Sequence, residues 1–241
     1  MQPSGLFWNR RRFLQGLTIA GAACTAPGVF AQKLIETATT TEGPFYPDKM
    51  PLDTDNDLLI LNDAITPGVG QVTHLSGRLL SAAGQPIRNA FVEIWQVDNT
   101  GSYVHTGGRQ PTGHDKNFQG YGRFLSDSKG QYYFRTIKPI EYTLINIFRT
   151  AHIHFAISRS GKRVFTTQML VAGHPGNARD NLTQRMDKAA LATILVDFKP
   201  MPGSKIGELT ANFDVVLGKT ASEGEDGVLR GVAAPLSRRN P

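Results

Sequence analysis

Short runs of apolar and β-branched residues, separated by turn-forming clusters, dominate the chain from His74 onwards. The separating clusters are rich in Gly, Pro, Asn, Asp and Ser, which favour tight turns. This rhythm is typical of a β-sandwich rather than of alternating helices and strands. The pattern predicts strands over residues 74–80, 90–97, 131–136, 151–158, 163–171 and 209–217.

We therefore predict an all-β protein with a single β-sandwich domain, long active-site loops and little helix. Residues 180–194 have a helical composition, and a helix there would cap the sandwich. Two long stretches without a strand pattern, 104–123 and 137–150, separate clear strands. Long loops in compact domains are often functional, so we expect the site in these stretches.

The N-terminal segment has basic, apolar and cleavable regions in the order of an export signal. Arg10 and Arg11 precede an apolar, small-residue stretch over 16–26, and Ala31 ends a region that suits cleavage. We predict a twin-arginine signal peptide over 1–31 and a periplasmic or secreted protein; an amphipathic or disordered N-terminus is the alternative. The stretch is shorter than the roughly 20 residues of a membrane-spanning helix, so no retained span is expected.

The rest of the chain divides into an N-terminal arm over 32–73, the sandwich over 74–217 and a tail over 218–241. The tail is polar and punctuated by Pro and Gly, and we predict that it is disordered. The chain has 241 residues, of which 40% are apolar, and this content suits one well-buried domain.

Charge and cysteine content exclude several kinds of site. The formal charge is +6, but residues 1–31 hold three arginines and no acidic residue, and no basic run interleaved with aromatics follows. Nucleic acid is therefore not an expected partner. Cys24 is the only cysteine and lies in the predicted signal, so a metal would be held by N and O atoms. Residues 21–24 faintly resemble a lipoprotein processing site, which leaves lipidation of Cys24 open.

The segment around His152 and His154 is a candidate metal site. Period-two alternation places both imidazoles on one face of a strand, about 7 Å apart, while Ile153, Phe155 and Ile157 pack on the other. Two such histidines can share one metal, although a structural role explains the pair about equally well.

Three motifs resemble intradiol ring-cleavage dioxygenases. They are residues 95–103 (WQVDNTGSY), residues 134–142 (FRTIKPIEY) and residues 149–155 (RTAHIHF), and the resemblance runs from about residue 41 to residue 217. It implies one Fe(III) per chain, with four ligands at Tyr103, Tyr142, His152 and His154. It also implies that Tyr103 stays bound during turnover whereas Tyr142 is displaced by the substrate.

The same resemblance assigns further residues and a reaction. Arg149 and Gln168 match residues near the substrate, with catalytic and binding roles. Residues 42–46 resemble the family's pocket-forming N-terminal segment, which makes Pro44 and Tyr46 candidate substrate-binding residues. The expected reaction cleaves a catechol-type ring between its two hydroxylated carbons with O2 and gives a cis,cis-muconate-type diacid.

Elementary chemistry agrees with this ligand set. Ferric iron is a hard acid, and phenolate oxygens are hard donors that favour Fe(III) over Fe(II). A bound cation also lowers the pKa of a coordinating tyrosine, so both phenols can bind as phenolates at neutral pH.

Several questions stay open at the level of sequence. Leu144 stands where an aromatic residue is usual in the family, so the substrate could be catechol, protocatechuate, hydroxyquinol or a lignin-derived relative. A homo-oligomer and a second subunit are both compatible with the chain. The alternative functions are a copper or zinc sandwich, which needs a further histidine near the pair, and a transthyretin-like or iron-binding sandwich without ring cleavage. His105, His114 and His174 are expected outside the ligand set.

Overall fold

The computed structural model describes residues 33–62 and 65–218 and the backbone of two short strands, 222–223 and 229–230. Most regular structure is β. The strands are β1 (Val72–Ser81), β2 (Phe91–Trp95), β3 (Tyr121–Leu125), β4 (Gln131–Ile137), β5 (Tyr142–Leu144), β6 (Ile147–Arg149), β7 (His152–Arg159), β8 (Lys162–Val171), β9 (Leu195–Val196), β10 (Phe198–Pro200), β11 (Leu209–Asn212), β12 (Val215–Leu217), β13 (Ser222–Glu223) and β14 (Leu229–Arg230).

Two five-stranded sheets form the framework. The first has the order β10-β11-β1-β12, with β4 paired antiparallel to β1, and the second has the order β3-β2-β7-β8-β9. Strand β7 therefore lies in the middle of its sheet, hydrogen-bonded to β2 on one side and β8 on the other. The predicted all-β fold with little helix is confirmed.

The main core consists of apolar side chains contributed by both sheets. Leu75, Leu79 and Phe134 from the first sheet belong to the same buried cluster as Ile94 and Phe155 from the second. The predicted inward face of β7 lies in this cluster through Ile153, Phe155 and Ile157. Every residue of His152–Ile157 is buried, so the opposite face of β7 is covered as well.

The predicted helix over 180–194 is wrong as a single element. The structure has two short helices, α1 (Asn181–Gln184) and α2 (Lys188–Ala192). The side chain of Asp187 accepts a hydrogen bond from the backbone N–H of Ala190, which is the geometry of an N-cap. The chain therefore starts a new helix at this point instead of continuing the first.

Both stretches predicted to be irregular contain strands. β3 occupies the end of the first stretch, and β5 and β6 form a hairpin in the second. The predicted last strand, 209–217, is two strands, because Phe213 and Asp214 interrupt the ladder with β1. Within the predicted tail, β13 pairs with β14.

The predicted signal peptide lies outside the described residues, and so does most of the tail. Among the helices that the structure describes, none has the length and apolar character to cross a bilayer.

Candidate metal centre

Four buried side chains bring their polar ends together at one point. Tyr103 Oη lies 2.9 Å from Tyr142 Oη, 3.2 Å from His152 Nε2 and 3.0 Å from His154 Nε2. The two histidine Nε2 atoms are 3.1 Å apart. The structure therefore brings together all four residues that the sequence proposes as metal ligands.

The two histidines are positioned by the central strand of the second sheet. His154 is the register partner of Trp95 on β2 and of Gln168 on β8. The Trp95 indole also stacks on the His154 ring, with centroids 4.8 Å apart and planes 6° apart. Because backbone ladders on both sides hold β7, the spacing of the two imidazoles is fixed by the sheet itself.

Hydrogen bonding fixes the tautomer of His152. Its Nδ1 lies 2.5 Å from the carbonyl oxygen of Thr150. A carbonyl only accepts hydrogen bonds, so Nδ1 carries the proton and the lone pair of Nε2 points toward the other donors. An imidazole that donates one N–H to a backbone carbonyl and offers its other nitrogen is the usual form of a metal-bound histidine. Nδ1 of His154 has no hydrogen-bond partner in the described part of the chain.

Tyr142 lies in one of the two stretches that the sequence singled out, 137–150, whereas Tyr103 lies one residue before the other, 104–123. The loop that carries Tyr103 is organised by Asp98, which is buried and whose side chain accepts hydrogen bonds from the backbone N–H groups of Thr100, Ser102 and Asp115. Tyr142 begins the β5–β6 hairpin and is the direct cross-strand partner of Arg149. Tyr103 therefore lies in a loop and Tyr142 in a two-stranded hairpin, whereas the histidines lie in the five-stranded sheet.

Burial favours the uncharged form of all four donors. Burial lowers the pKa of His152 to about 3 and that of His154 well below its usual value, so both imidazoles are neutral at neutral pH. Burial also raises the pKa of Tyr103 and of Tyr142, and for Tyr103 the neighbouring Tyr142 adds to the effect. A bound metal ion would reverse this for the phenols, because its charge favours the phenolate form.

Arg149 and Gln168 form a hydrogen-bonded group beside the four donors. Arg149 Nη2 donates to Gln168 Oε1 at 2.6 Å, and Arg149 Nε donates to Asp180 Oδ2 at 2.9 Å. Gln168 Nε2 in turn donates to the carbonyl oxygen of Thr41 in the N-terminal arm at 2.9 Å. The charge of Arg149 contributes to the pKa of all four donors, which places the guanidinium within their electrostatic reach.

The arm over 32–73 passes close to the site, but its two predicted pocket residues, Pro44 and Tyr46, differ in their surroundings. Pro44 is exposed. The Tyr46 hydroxyl donates to Glu93 at 2.7 Å, so it is directed away from the cluster, while its ring meets Trp95 edge-on. Two neighbouring residues come closer: a Cβ on Gly43 would lie 3.3 Å from His154 Cε1, and the Phe45 ring lies 5.1 Å from that of Tyr103.

The other histidines lie outside the donor cluster. The side chains of His105 and His174 each cap a short 3₁₀ turn, and His114 is among the residues that are only partly buried. In the described residues, no group of three or more His, Cys, Asp or Glu side chains is arranged to hold a metal. A copper or zinc site with a third histidine is therefore not favoured.

Comparisons with known proteins identify the family. The family model described as Dioxygenase matches residues 41–218. The chain belongs to the intradiol ring-cleavage dioxygenase family. The enzyme class expected from the sequence, an intradiol ring-cleavage dioxygenase, is thereby confirmed.

Curated relatives have several substrates in their names. The chain is 35% identical over 177 residues to the protocatechuate 3,4-dioxygenase beta chain of Burkholderia cepacia, covering 70% of this chain and 73% of the relative. It is 36% identical over 157 residues to catechol 1,2-dioxygenase of Acinetobacter baylyi, covering 58% of this chain and 49% of that one. It thus spans about half the length of the catechol relative.

Solved structures share the fold. The dioxygenase domain of a dioxygenase carbohydrate-binding protein fusion from Streptomyces sp. SirexAA-E matches with a TM-score of 0.56 and 26% identity, covering 76% of this chain and 99% of that chain. Catechol 1,2-dioxygenase from Acinetobacter sp. ADP1 matches with a TM-score of 0.60 and 24% identity, covering 93% of this chain and 73% of that one.

Proposed function

We propose that the protein is a non-haem Fe(III) dioxygenase that opens a catechol-type ring between its two hydroxylated carbons with O2. The product is a cis,cis-muconate-type diacid, and both oxygen atoms of O2 enter it. The observation that supports this best is the meeting of two phenol oxygens and two imidazole nitrogens at one buried point.

The donor set suits a ferric ion. The Nε2 atoms of the two neutral imidazoles lie 3.1 Å apart and both lie within 3.2 Å of the Tyr103 oxygen, so one cation could be shared by all of them. Two phenolates would neutralise two of the three charges of Fe(III), and hard oxygen donors favour that oxidation state. Tyr103, Tyr142, His152 and His154 are therefore the proposed ligands of one Fe(III) per chain.

Bound iron would supply a Lewis acid that activates a chelated catechol toward O2. Tyr142, at the start of a hairpin, would accept a proton from a catechol hydroxyl at its Oη. The Arg149 guanidinium would stabilise negative charge that develops on the ring. Gln168, fully buried and bonded to both Arg149 and Thr41, would hold the polar wall of the pocket in place.

Purified wild-type protein tests this proposal directly. We expect about one iron per chain, a red-brown colour from phenolate-to-iron charge transfer, and O2 uptake with at least one substrate among catechol, protocatechuate, hydroxyquinol and a lignin-derived catechol. Mass spectrometry should find a product that has gained both oxygen atoms. A folded, colourless protein with stoichiometric zinc or copper contradicts the proposal. Coloured iron protein that takes up no O2 with any of these favours the alternative of an iron-binding sandwich.

We also propose export by the twin-arginine route, on the order of Arg10, Arg11 and the apolar stretch that follows. This route carries folded proteins, so iron could be loaded before export. Replacing both arginines by lysine should leave the precursor in the cytoplasm, as measured by fractionation and immunoblotting. Normal periplasmic levels of the double variant would show that these arginines are not an export signal.

A further inference from the structure

Asp180 is a fully buried carboxylate that the family motifs do not include. Its Oδ2 accepts hydrogen bonds from Arg149 Nε at 2.9 Å and from the Thr150 backbone N–H at 2.8 Å. Its Oδ1 accepts from the Leu182 backbone N–H at 2.7 Å, which caps helix α1. Both oxygens are thus tied to backbone on two different elements, so the carboxylate has one fixed position.

This fixed carboxylate determines how the Arg149 guanidinium is oriented. Asp180 holds the Nε edge and Gln168 holds Nη2, and a planar guanidinium with two anchored nitrogens has a defined plane. Among the residues that the structure describes, Nη1 of Arg149 has no hydrogen-bond partner. Both N–H groups of Nη1 and the second N–H of Nη2 are therefore left for a bound anion.

A buried ion pair is weak evidence for stability alone. Replacing such a pair by apolar groups is often neutral for stability, whereas removing one partner destabilises the fold because it leaves an unpaired buried charge. Helix α1 has only four residues, so a cap on it has little to stabilise. A function in orienting Arg149 explains the burial of Asp180 better than either structural use.

We propose that Asp180 is a positioning residue for ring cleavage: it orients Arg149 so that Nη1 meets the chelated catechol. This inference rests on the proposed function. Asp180 is hydrogen-bonded to none of the four donors, and its charge reaches Tyr142 and His152 only over a longer range, so its direct contact with the site is through Arg149. Misplacing a group by about 1 Å can cost roughly 10²-fold in rate, so the effect of losing Asp180 should be large.

The test is a double-variant cycle of Asp180→Asn, Arg149→Gln and both together, made in the iron-loaded full chain. Asp180→Asn should lower kcat/KM by about 10- to 100-fold. It should also weaken anaerobic binding of catechol, followed by the visible spectrum, while iron content and the resting spectrum stay as in the wild type. In the Arg149→Gln background the same change should cost less than about threefold, because the residue through which it acts is gone.

Asp187→Asn is the matched control. Asp187 also caps a short helix, through the Ala190 backbone N–H, and it contacts neither Arg149 nor Thr150. It should change kcat/KM and catechol binding by less than about twofold.

The inference is overturned if Asp180→Asn lowers kcat/KM by the same factor in the Arg149→Gln background as in the wild type. Loss of iron in Asp180→Asn also overturns it. If Asp180→Asn does not fold, the comparison of Arg149→Gln with the double variant decides alone. The double variant has no unpaired buried charge and should match Arg149→Gln in activity. A wild type that neither binds iron nor takes up O2 contradicts both the proposed function and this inference, whereas an additive cycle in an active wild type contradicts only the latter.

Discussion

At the scale of single residues, the two tyrosines have the same chemistry but different supports. The Tyr103 side chain is 1% exposed, and its hydroxyl lies within hydrogen-bond distance of all three other donors. Tyr142 is 6% exposed, and its hydroxyl contacts only that of Tyr103. The more enclosed Tyr103 suits a permanent ligand. Tyr142, on a short two-stranded element, suits the ligand that the substrate displaces.

The Tyr142→Phe variant should retain iron, change colour and lose about 10²- to 10⁴-fold in rate, because a general base is lost. Tyr103→Phe should instead lower the iron content, since it removes a permanent anionic donor. Metal analysis, visible spectra and single-turnover kinetics of both variants distinguish these outcomes. Full activity in Tyr142→Phe, or identical spectra and rates in the two variants, would show that the displaced ligand is misassigned.

The meeting of the four proposed ligands could be predicted from the sequence because each lies in a local motif. The His152 and His154 pair follows from strand alternation, and the tyrosines from the flanking motifs. Asp180 and Trp95 could not be assigned this way, because their contacts to Arg149 and His154 depend on how distant segments pack. The only local signal at Asp180 is a polar residue just before a helix, which predicts a cap and nothing more.

At the scale of elements, the β5–β6 hairpin shows where sequence patterns fail. Its two-residue turn, Ile145 and Asn146, has φ values of 51° and 58°, although a turn with two positive φ angles strongly favours Asn-Gly. Without a glycine the turn gave no hairpin signal, and the stretch was predicted to be irregular. By contrast, β7 and β8 flank a turn with Ser160 and Gly161, both at positive φ, and were predicted closely.

Ile145→Asn should therefore stabilise the protein. A β-branched residue in the left-handed region costs about 1–2 kcal/mol, and asparagine tolerates that conformation better. Ile145 is 74% exposed, so little packing is lost. Chemical denaturation should show a gain of about 1 kcal/mol. Ile147→Asn, a control at an exposed strand position, should show no gain; equal or lower stability of Ile145→Asn would contradict the prediction.

At the scale of the whole molecule, the N-terminal arm connects the two sheets. The Thr37 backbone bonds to Val216 on β12 of the first sheet, and the Thr40 backbone to Thr166 on β8 of the second. Further along, Tyr46 and Arg163 both bond to Glu93 on β2. The sequence predicted an arm, but its path across both sheets depends on long-range contacts that no local pattern encodes.

The Glu93 carboxylate makes this anchoring sensitive to acid. Burial acts to raise its pKa, but hydrogen bonds from Tyr121 and Tyr46 and the charge of Arg163 outweigh burial, so the pKa is lowered from its usual 4.5. A depressed pKa contributes stability above the unfolded value, and this contribution is lost as the pH falls through the folded value.

Glu93→Gln should thus lower the free energy of unfolding by about 1–3 kcal/mol near pH 7. The difference from the wild type should shrink as the pH falls below about 4.5. Denaturation curves at stepped pH measure it. Glu141→Gln, a variant of a more exposed carboxylate, should differ from the wild type by less than about 0.5 kcal/mol. A Glu93→Gln difference that is constant with pH would rule out an ionised, stabilising Glu93.

The register of the β5–β6 hairpin places two residues of different proposed roles side by side. Tyr142 and Arg149 are direct cross-strand partners, so the same hairpin carries the ligand that the substrate is proposed to displace and the cation proposed to bind the substrate. Hydrogen bonds to Asp180 and Gln168 hold the Arg149 side chain, while the two histidines lie on a separate sheet, on a strand paired with β8. Because the Arg149 strand is held, release of Tyr142 would be taken up by β5 and the turn, and the cation would already be in place when the substrate arrives.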